Sequence, residues 1–593
     1  ALKTSSTNTQ NTAVGTNAMC LTTANENTAV GYESLKTNAG GFYLTAVGKD
    51  SALSNTTGAY GVYVGRYAAR ANTTGFGNAV LGGNAFCANT TGGSNVAVGL
   101  CALQDNTIAD GNTAVGANSL LQNTEGASNT AVGKNALGSN TTASDNTAVG
   151  HQALFTNVTG ANNVAIGKNA LYYNTVSTNT AVGNLAMTNT STGAGNTAVG
   201  QNALTANTEG ENNVAIGKNA LDANTTADGS VAIGFDALTA QTTAGNNTAI
   251  GACALRTSQT GGSLVAIGFC ALSSNTGNQN TAIGDRAMKT NSSGILNTSM
   301  GYISMCDNSS GDCNTAIGTG ALKKNSTGDK NIAIGSAALD ANTTASCNTA
   351  FGVDALTANT TGCQNTAMGT DTLKANTTAC RQVAVGAFAL DSSNANYNVA
   401  VGVNALHAVT SGTENTAIGF QAGAWATNAT TGDHNTFLGA YTSPAAADNE
   451  NSLVIGAKSA VTGKGSNTGF INAGDGGVYQ GNNASTWSTT SDQRLKKNIV
   501  DNNIGLEKIS KIQVRNFEYR KEDEITDLPK DQVIEKEGIQ LGVIAQEIEL
   551  IAPEMVKIES TGVKRVDPDN ITWYLVNAIK ELKAEIDELK KGA

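Results

Sequence analysis

Asn11-Thr12-Ala13-Val14-Gly15 returns unchanged as Asn27-Thr28-Ala29-Val30-Gly31. Outward from these two copies, the glycine recurs at 48, 65, 82, 99 and 116 and on to 439 and 456. That gives 27 glycines, spaced by 17 residues with occasional 16s and one 20. The residue before each glycine is apolar, and Asn stands four residues before it in 21 of the 27 copies. An Ala-Leu pair often follows three and four residues later, as in Ala102-Leu103, Ala136-Leu137 and Ala237-Leu238. The rest of each unit is Asn-Thr-Thr-Gly-like turn sequence. Seventeen residues cannot close a core alone, so each unit is one rung of a stack.

The fold class that follows is mainly β: a parallel β-roll or β-solenoid of about 27 rungs over residues 1–440. At about 4.8 Å per rung the rod is on the order of 130 Å long. Alternation with period 2 leads us to expect the Val/Ile positions on an internal face. Ala and Gly would then form a flat outer face for another sheet. Asn stacked over Asn in successive rungs is expected to form side-chain amide ladders that set the register. All four prolines (Pro444, Pro529, Pro553, Pro568) come after this region, as a ladder using every backbone N–H requires.

Charge divides the chain again. The last 103 residues carry 38 charged side chains, the first 490 only 43. The net charge of −11 gives no reason to expect nucleic acid or an anionic membrane as a partner, and no apolar run is long enough to insert into a bilayer. No metal or cofactor is expected, because there is no Cys-x-x-Cys or Cys/His cluster and His151, His407 and His434 are isolated. Among the ten cysteines, Cys253 and Cys270 occupy equivalent places in adjacent rungs, as do Cys363 and Cys380, with Cys347 one rung earlier. Rung spacing suits a disulfide, but the favoured reading is Cys as a small buried substitute for Ala or Ser. Asp50, Glu125 and Glu209 read as solvated turn residues.

The rung resembles the head repeat of trimeric autotransporter adhesins, through Gly229-Ser230-Val231-Ala232-Ile233-Gly234 and Asn163-Val164-Ala165-Ile166-Gly167. That resemblance implies a parallel β-roll with three chains side by side.

Residues 441–490 read as a Gly-rich connector or tip, bracketed by Trp425 and Trp487, where aromatic side chains are candidates for contact with a surface glycan. Residues 491–593 then read as a small α+β domain. Ile512–Tyr519 reads as a strand, and Gly542–Ile548 as a strand running into a helix. Trp573–Leu589 reads as an amphipathic helix whose Leu575, Ile579, Leu582, Ile586 and Leu589 follow coiled-coil spacing.

Four parts in order carry a second resemblance: Ser491-Asp492-x-Arg494-x-Lys496-Lys497-Asn498-Ile499, Phe517-x-Tyr519, Gly542-Val543-Ile544-Ala545-Gln546-Glu547, and the final helix. Together they resemble the C-terminal intramolecular chaperone of phage endosialidases and tail fibres. The resemblance implies a domain that trimerises, folds the upstream β-structure and then cuts itself off. It implies catalytic Ser491 and Lys496, a cut between Thr490 and Ser491, supporting roles for Asp492, Arg494, Gln546 and Glu547, and trimerisation through the final helix. A Ser hydroxyl needs an adjacent base, and a Lys serves only if burial leaves it neutral. Trimer formation would supply that burial.

The expected protein is therefore a homotrimeric virion tail or surface fibre for host attachment. Its expected partners are its own copies, a cell-surface receptor (a glycan among the candidates) and an upstream attachment protein of the virion or appendage. Its only enzymatic activity would be a single-turnover self-cleavage. The alternatives are a cellular surface adhesin, which a C-terminal β-barrel anchor would favour, and a polysaccharide-degrading tailspike, which the uniform repeat disfavours.

Overall fold

Successive copies of the repeat stack as turns of a parallel β-solenoid in a computed structural model. The structure describes residues 9–456, 460–473, 477–481, 488–489, 493–525, 534, 536–559 and 562–592. Each turn contributes one three-residue strand, from β1 (Thr12–Val14) to β26 (Thr436–Leu438). Neighbouring turns pair parallel and in register, so that Ala97, Ala114, Ala131 and Ala148 form one column. After β27 (Thr442–Ser443), which pairs with β29 (Val461–Thr462), the main column continues through β28 (Leu453–Gly456) and β30 (Gly469–Asn472). It ends in two antiparallel additions, β31 (Gly477–Gln480) and β32 (Ser488–Thr489).

The two strand faces are the reverse of the expectation. The central residue of each strand, Ala in most, is fully buried in every turn after the first, whereas the flanking Thr and Val/Ile point outward, half-buried or exposed. The reason is parity. Asn129, four before the repeat glycine, points inward: its amide Nδ2 donates to Ala143 O at 2.9 Å, and its Oδ1 accepts the Asn146 N–H at 3.0 Å. With a period of 2, Ala131 must share that face and Thr130 and Val132 the other. Once the Asn amides are inside, little room remains and Ala fills it.

A second Asn column runs ten residues before most of the repeat glycines. Asn123 Nδ2 donates to Asn106 Oδ1 at 3.0 Å, and Asn140 Nδ2 to Asn123 Oδ1 at 2.7 Å. Leu120, Leu137 and their equivalents complete the interior. Most of the buried side-chain amides that line the rod are thus hydrogen-bonded to the turn above or below, as burial of polar groups demands.

The repeat glycine is required twice over. Gly133 has φ +137°, and a Cβ there would lie 2.5 Å from the Gly150 carbonyl oxygen. Where one interior position is large, another is small. Tyr63 replaces the central Ala and is fully buried, its hydroxyl pushed up to about 12 by burial. Gly61 stands in the Asn position beneath it, where a Cβ would meet the Tyr63 hydroxyl at 2.3 Å. Phe437 is likewise accommodated by Gly423 in the Leu position.

Two smaller expectations also change. None of the ten cysteines is fully buried, and Cys313 and Cys347 are exposed; the thiols sit on turn surfaces instead of replacing interior Ala. Asp50, two residues after a repeat glycine at a position that is at least half-buried in most other turns, is buried and not solvated.

The chain divides between Thr489 and Thr490 into two units. The second contains a short helix α1 (Leu506–Ile509), β33 (Arg515–Phe517) paired antiparallel with β34 (Gln540–Gly542), and α2 (Ala545–Ile551). A second hairpin, β35 (Val556–Ile558) with β36 (Lys564–Val566), leads to the 23-residue helix α3 (Asp569–Lys591). The strand expected over Ile512–Tyr519 is shorter than the pattern suggested. Ile548, Ala552, Met555 and Tyr574 form its core, with Ile509, Ile512, Val543 and Ile571 packed around them.

Candidate functional site

Thr490, Ser491 and Asp492 lie outside the described residues. The chain is described again from Gln493, where Gln493–Leu495 forms one 3-10 turn and the Lys496 N–H donates to Gln493 O at 3.0 Å. Arg494 and Lys496 are exposed on the single chain.

Within ten residues the same segment is tied to the final helix. Asn577 Nδ2 donates to Asn502 O at 2.7 Å and to Ile504 O at 3.3 Å. Glu581 Oε2 accepts the Leu506 N–H at 2.8 Å, which satisfies an N-terminal donor of α1. Gly505 permits the approach: a Cβ there would lie 2.2 Å from the Ala578 nitrogen. The stretch following Lys496 is thus strapped onto α3.

The other motif parts converge. Gly542 leaves room for the Phe517 ring, which a Cβ would approach to 3.0 Å. Phe517 stacks edge-to-face on Tyr519, with centroids 5.4 Å apart. Arg515 grips Glu547 with two contacts, Nη2 to Oε1 at 3.1 Å and Nε to Oε2 at 3.2 Å. This forked pairing gives Glu547 a structural part in holding α2 to β33. Gln546 is exposed.

One cluster escaped the sequence reading. Lys508 Nζ contacts Glu554 Oε1 at 2.5 Å, and the Tyr574 hydroxyl donates to the same oxygen. Lys508 and Tyr574 together hold the Glu554 carboxyl down to about 2. Lys508, Glu554 and Tyr574 are far apart in sequence and follow no spacing rule, so no local pattern announces them.

Opposite the strap, α3 presents an uncovered seam. Leu575, Ile579, Leu582, Ile586 and Leu589 are between 43% and 74% exposed, while Tyr574 and Ala578 face the domain. Along the solenoid the outward Val/Ile positions form a second apolar row, from Val14 through Ile166 and Phe351 to Leu438. On the single 20-residue turn, Trp425 packs edge-to-face on Tyr441 at 4.4 Å and Phe420 joins at 5.2 Å. Trp487 lies outside the described residues. Among the described residues no helix is long and apolar enough to cross a membrane.

Residues 491–557 match the family model of the chaperone of endosialidase (Peptidase_S74). Among curated proteins none matches the chain. The molecule is thus a β-solenoid shaft of about 27 turns carrying an endosialidase-type chaperone segment at its C-terminal end.

Proposed function

We propose that this chain forms a homotrimeric tail or surface fibre of a virus, used for host attachment, whose terminal domain assembles the trimer and then releases itself. The observation that carries the reading is a coincidence of boundaries. The chaperone match begins at Ser491, two residues beyond the end of the solenoid unit at Thr489.

Trimerisation is supported by the two uncovered apolar rows, on α3 and along the solenoid strands. An aliphatic seam at coiled-coil spacing on a 23-residue helix gains free energy by burial, and like helices are its natural partners. Host attachment assigns the Phe420–Trp425–Tyr441 group to contact with a surface glycan, whose C–H faces stack on aromatic rings.

The cut proceeds as follows. Ser491 Oγ attacks the Thr490 carbonyl carbon while neutral Lys496 Nζ takes the hydroxyl proton. The C–N bond breaks, Lys496 returns the proton to the departing Ser491 amine, and an ester joins Thr490 to Ser491 Oγ. Water then hydrolyses the ester, giving a Thr490 carboxylate and a free Ser491 hydroxyl. Lys496 is exposed in the lone protomer, and a lysine acts as a base only when burial favours its neutral form, so neighbouring protomers would supply that burial. Cutting is thereby conditional on assembly. The test is expression of wild type and Ser491→Ala. Wild type should separate residues 491–593 from a trimeric shaft, while Ser491→Ala stays at 60.0 kDa. A wild-type chain that trimerises and remains whole would remove the self-cleavage from this proposal; a monomeric shaft would remove the fibre.

A further inference from the structure

Six residues before the repeat glycine, many turns place a short polar side chain aimed at the turn before. Asp110 Oδ1 accepts the Gly93 N–H at 2.6 Å, Ser144 Oγ the Ala127 N–H at 3.0 Å, and Ser346 Oγ the Asp329 N–H at 2.9 Å. Cys363 and Cys380 fall in this column. Cys380 Sγ takes the acceptor's place, receiving the Cys363 N–H at 2.9 Å, and lies 2.9 Å from Cys363 Sγ. The next turn repeats the arrangement with oxygen, Asn396 Oδ1 accepting the Cys380 N–H at 2.7 Å. The column's backbone geometry therefore aims one thiol at the other. Cys347 is one residue out of the column, at φ +63°.

We propose that Cys363 and Cys380 form a reversible disulfide staple between adjacent turns, made by thiol–disulfide exchange with a low-molecular-weight disulfide such as oxidised glutathione. Both thiols are half-exposed, so a small reagent reaches them, and stacked turns hold the two backbones at a separation a disulfide accepts. Cys380 is the attacking group, because the Cys363 N–H stabilises charge on its sulfur. Its thiolate displaces one glutathione thiolate and forms a mixed disulfide. Cys363, deprotonated in turn, attacks the Cys380 sulfur and releases the second glutathione. Two protein thiols and one glutathione disulfide become one protein disulfide and two glutathione thiols. Hydrogen bonding to Cys380 and burial hold the Cys363 thiol above its ordinary value, so Cys363 is not the first thiol to attack. The product closes a 17-residue loop and prevents these two turns from separating.

Full-length protein is incubated with oxidised glutathione, free thiols are alkylated, and trypsin cuts after Lys330, Lys374 and Arg381. Peptides 331–374 and 375–381 should appear joined, two hydrogens lighter than their sum, and separate on reduction. Cys347→Ser should keep the link. Cys363→Ser should abolish it and leave Cys380 carrying a glutathione adduct. Separate alkylation of Cys363 and Cys380 after oxidation would overturn the proposal, as would a link that Cys347→Ser removes or one that joins two chains on a non-reducing gel.

Discussion

The shaft and the terminal unit bury different chemistry. The shaft interior is lined with Asn and Ala, and its amides bond to the turns above and below. The terminal unit has a small apolar core around Ile548, Met555 and Tyr574, and leaves its most regular apolar row in solvent. In the shaft each turn completes its neighbour, so one protomer satisfies its own interior. The terminal unit completes itself only in part, and the proposed trimer would cover its remaining apolar surface. On the proposed function, register belongs to the shaft and stoichiometry to the end domain. That division suits a repeat in which near-identical turns otherwise pair one turn out of step.

The sharpest way to break the shaft side is Gly133→Val. Its φ of +137° and the 2.5 Å approach of a Cβ to Gly150 O combine backbone strain with overpacking, about 4–5 kcal/mol together. Hydrogen exchange should rise in the turns on both sides of residue 133 and remain at wild-type levels many turns away. Uniform loosening along the rod would contradict a shaft held turn by turn.

Next is Asn123→Ala, which takes one of two acceptors from Asn140 Nδ2, leaving it Ala143 O, and removes a donor from Asn106 Oδ1. The expected cost is about 1–3 kcal/mol, read as a lower unfolding midpoint in denaturant. Threonine at the same site, too short to span the turns, should not recover it.

These two variants rest on side chains whose direction the pattern alone did not settle. The 17-residue spacing made the stack legible, and the Asn recurrence made the amide columns legible. The faces are not legible from apolarity, because Val and Ile are the more apolar residues and yet parity turns them outward. Asn and Ala, two residues apart, must share a face, and the Asn hydrogen bonds choose the inside. At the terminal unit, the motif order in 491–547 located the domain, and Arg515 pairing with Glu547 follows from neighbouring strands and helices. The Lys508–Glu554–Tyr574 cluster and the Asn577 strap depend on contacts some 20 to 75 residues apart, which no local spacing encodes.

A smaller effect tests the terminal unit by pH. The folded state holds Glu554 well below its ordinary value of 4.5, at about 2. Its contribution is therefore fully present above about pH 4.5 and is lost as pH falls towards 2. Glu554→Gln should lower stability at neutral pH and flatten the acid-side loss over that window. Fluorescence of Trp573, with Trp425 and Trp487 replaced by Phe, would report it; an unchanged acid slope would remove the cluster from the account.

The smallest effect on a single protomer should come from Leu582→Glu on the exposed seam. The residue is 43% exposed, so the stability of the isolated chain should change by less than about 0.5 kcal/mol. Light scattering should nonetheless show trimer giving way to monomer. If the trimer persists, assembly belongs to the solenoid rows and the comparison must be redrawn.

The repeat glycine also has a genetic meaning. Removing residues 117–133 would join Gly116 to Lys134 and leave every interior column continuous, because both glycines are followed by the same pattern of turn residues. Unequal recombination between two copies of the repeat thus deletes or duplicates a whole turn without a misfolded junction. The gene can change the reach of the shaft in steps of about 4.8 Å, and length becomes a heritable variable separable from the chemistry at either end.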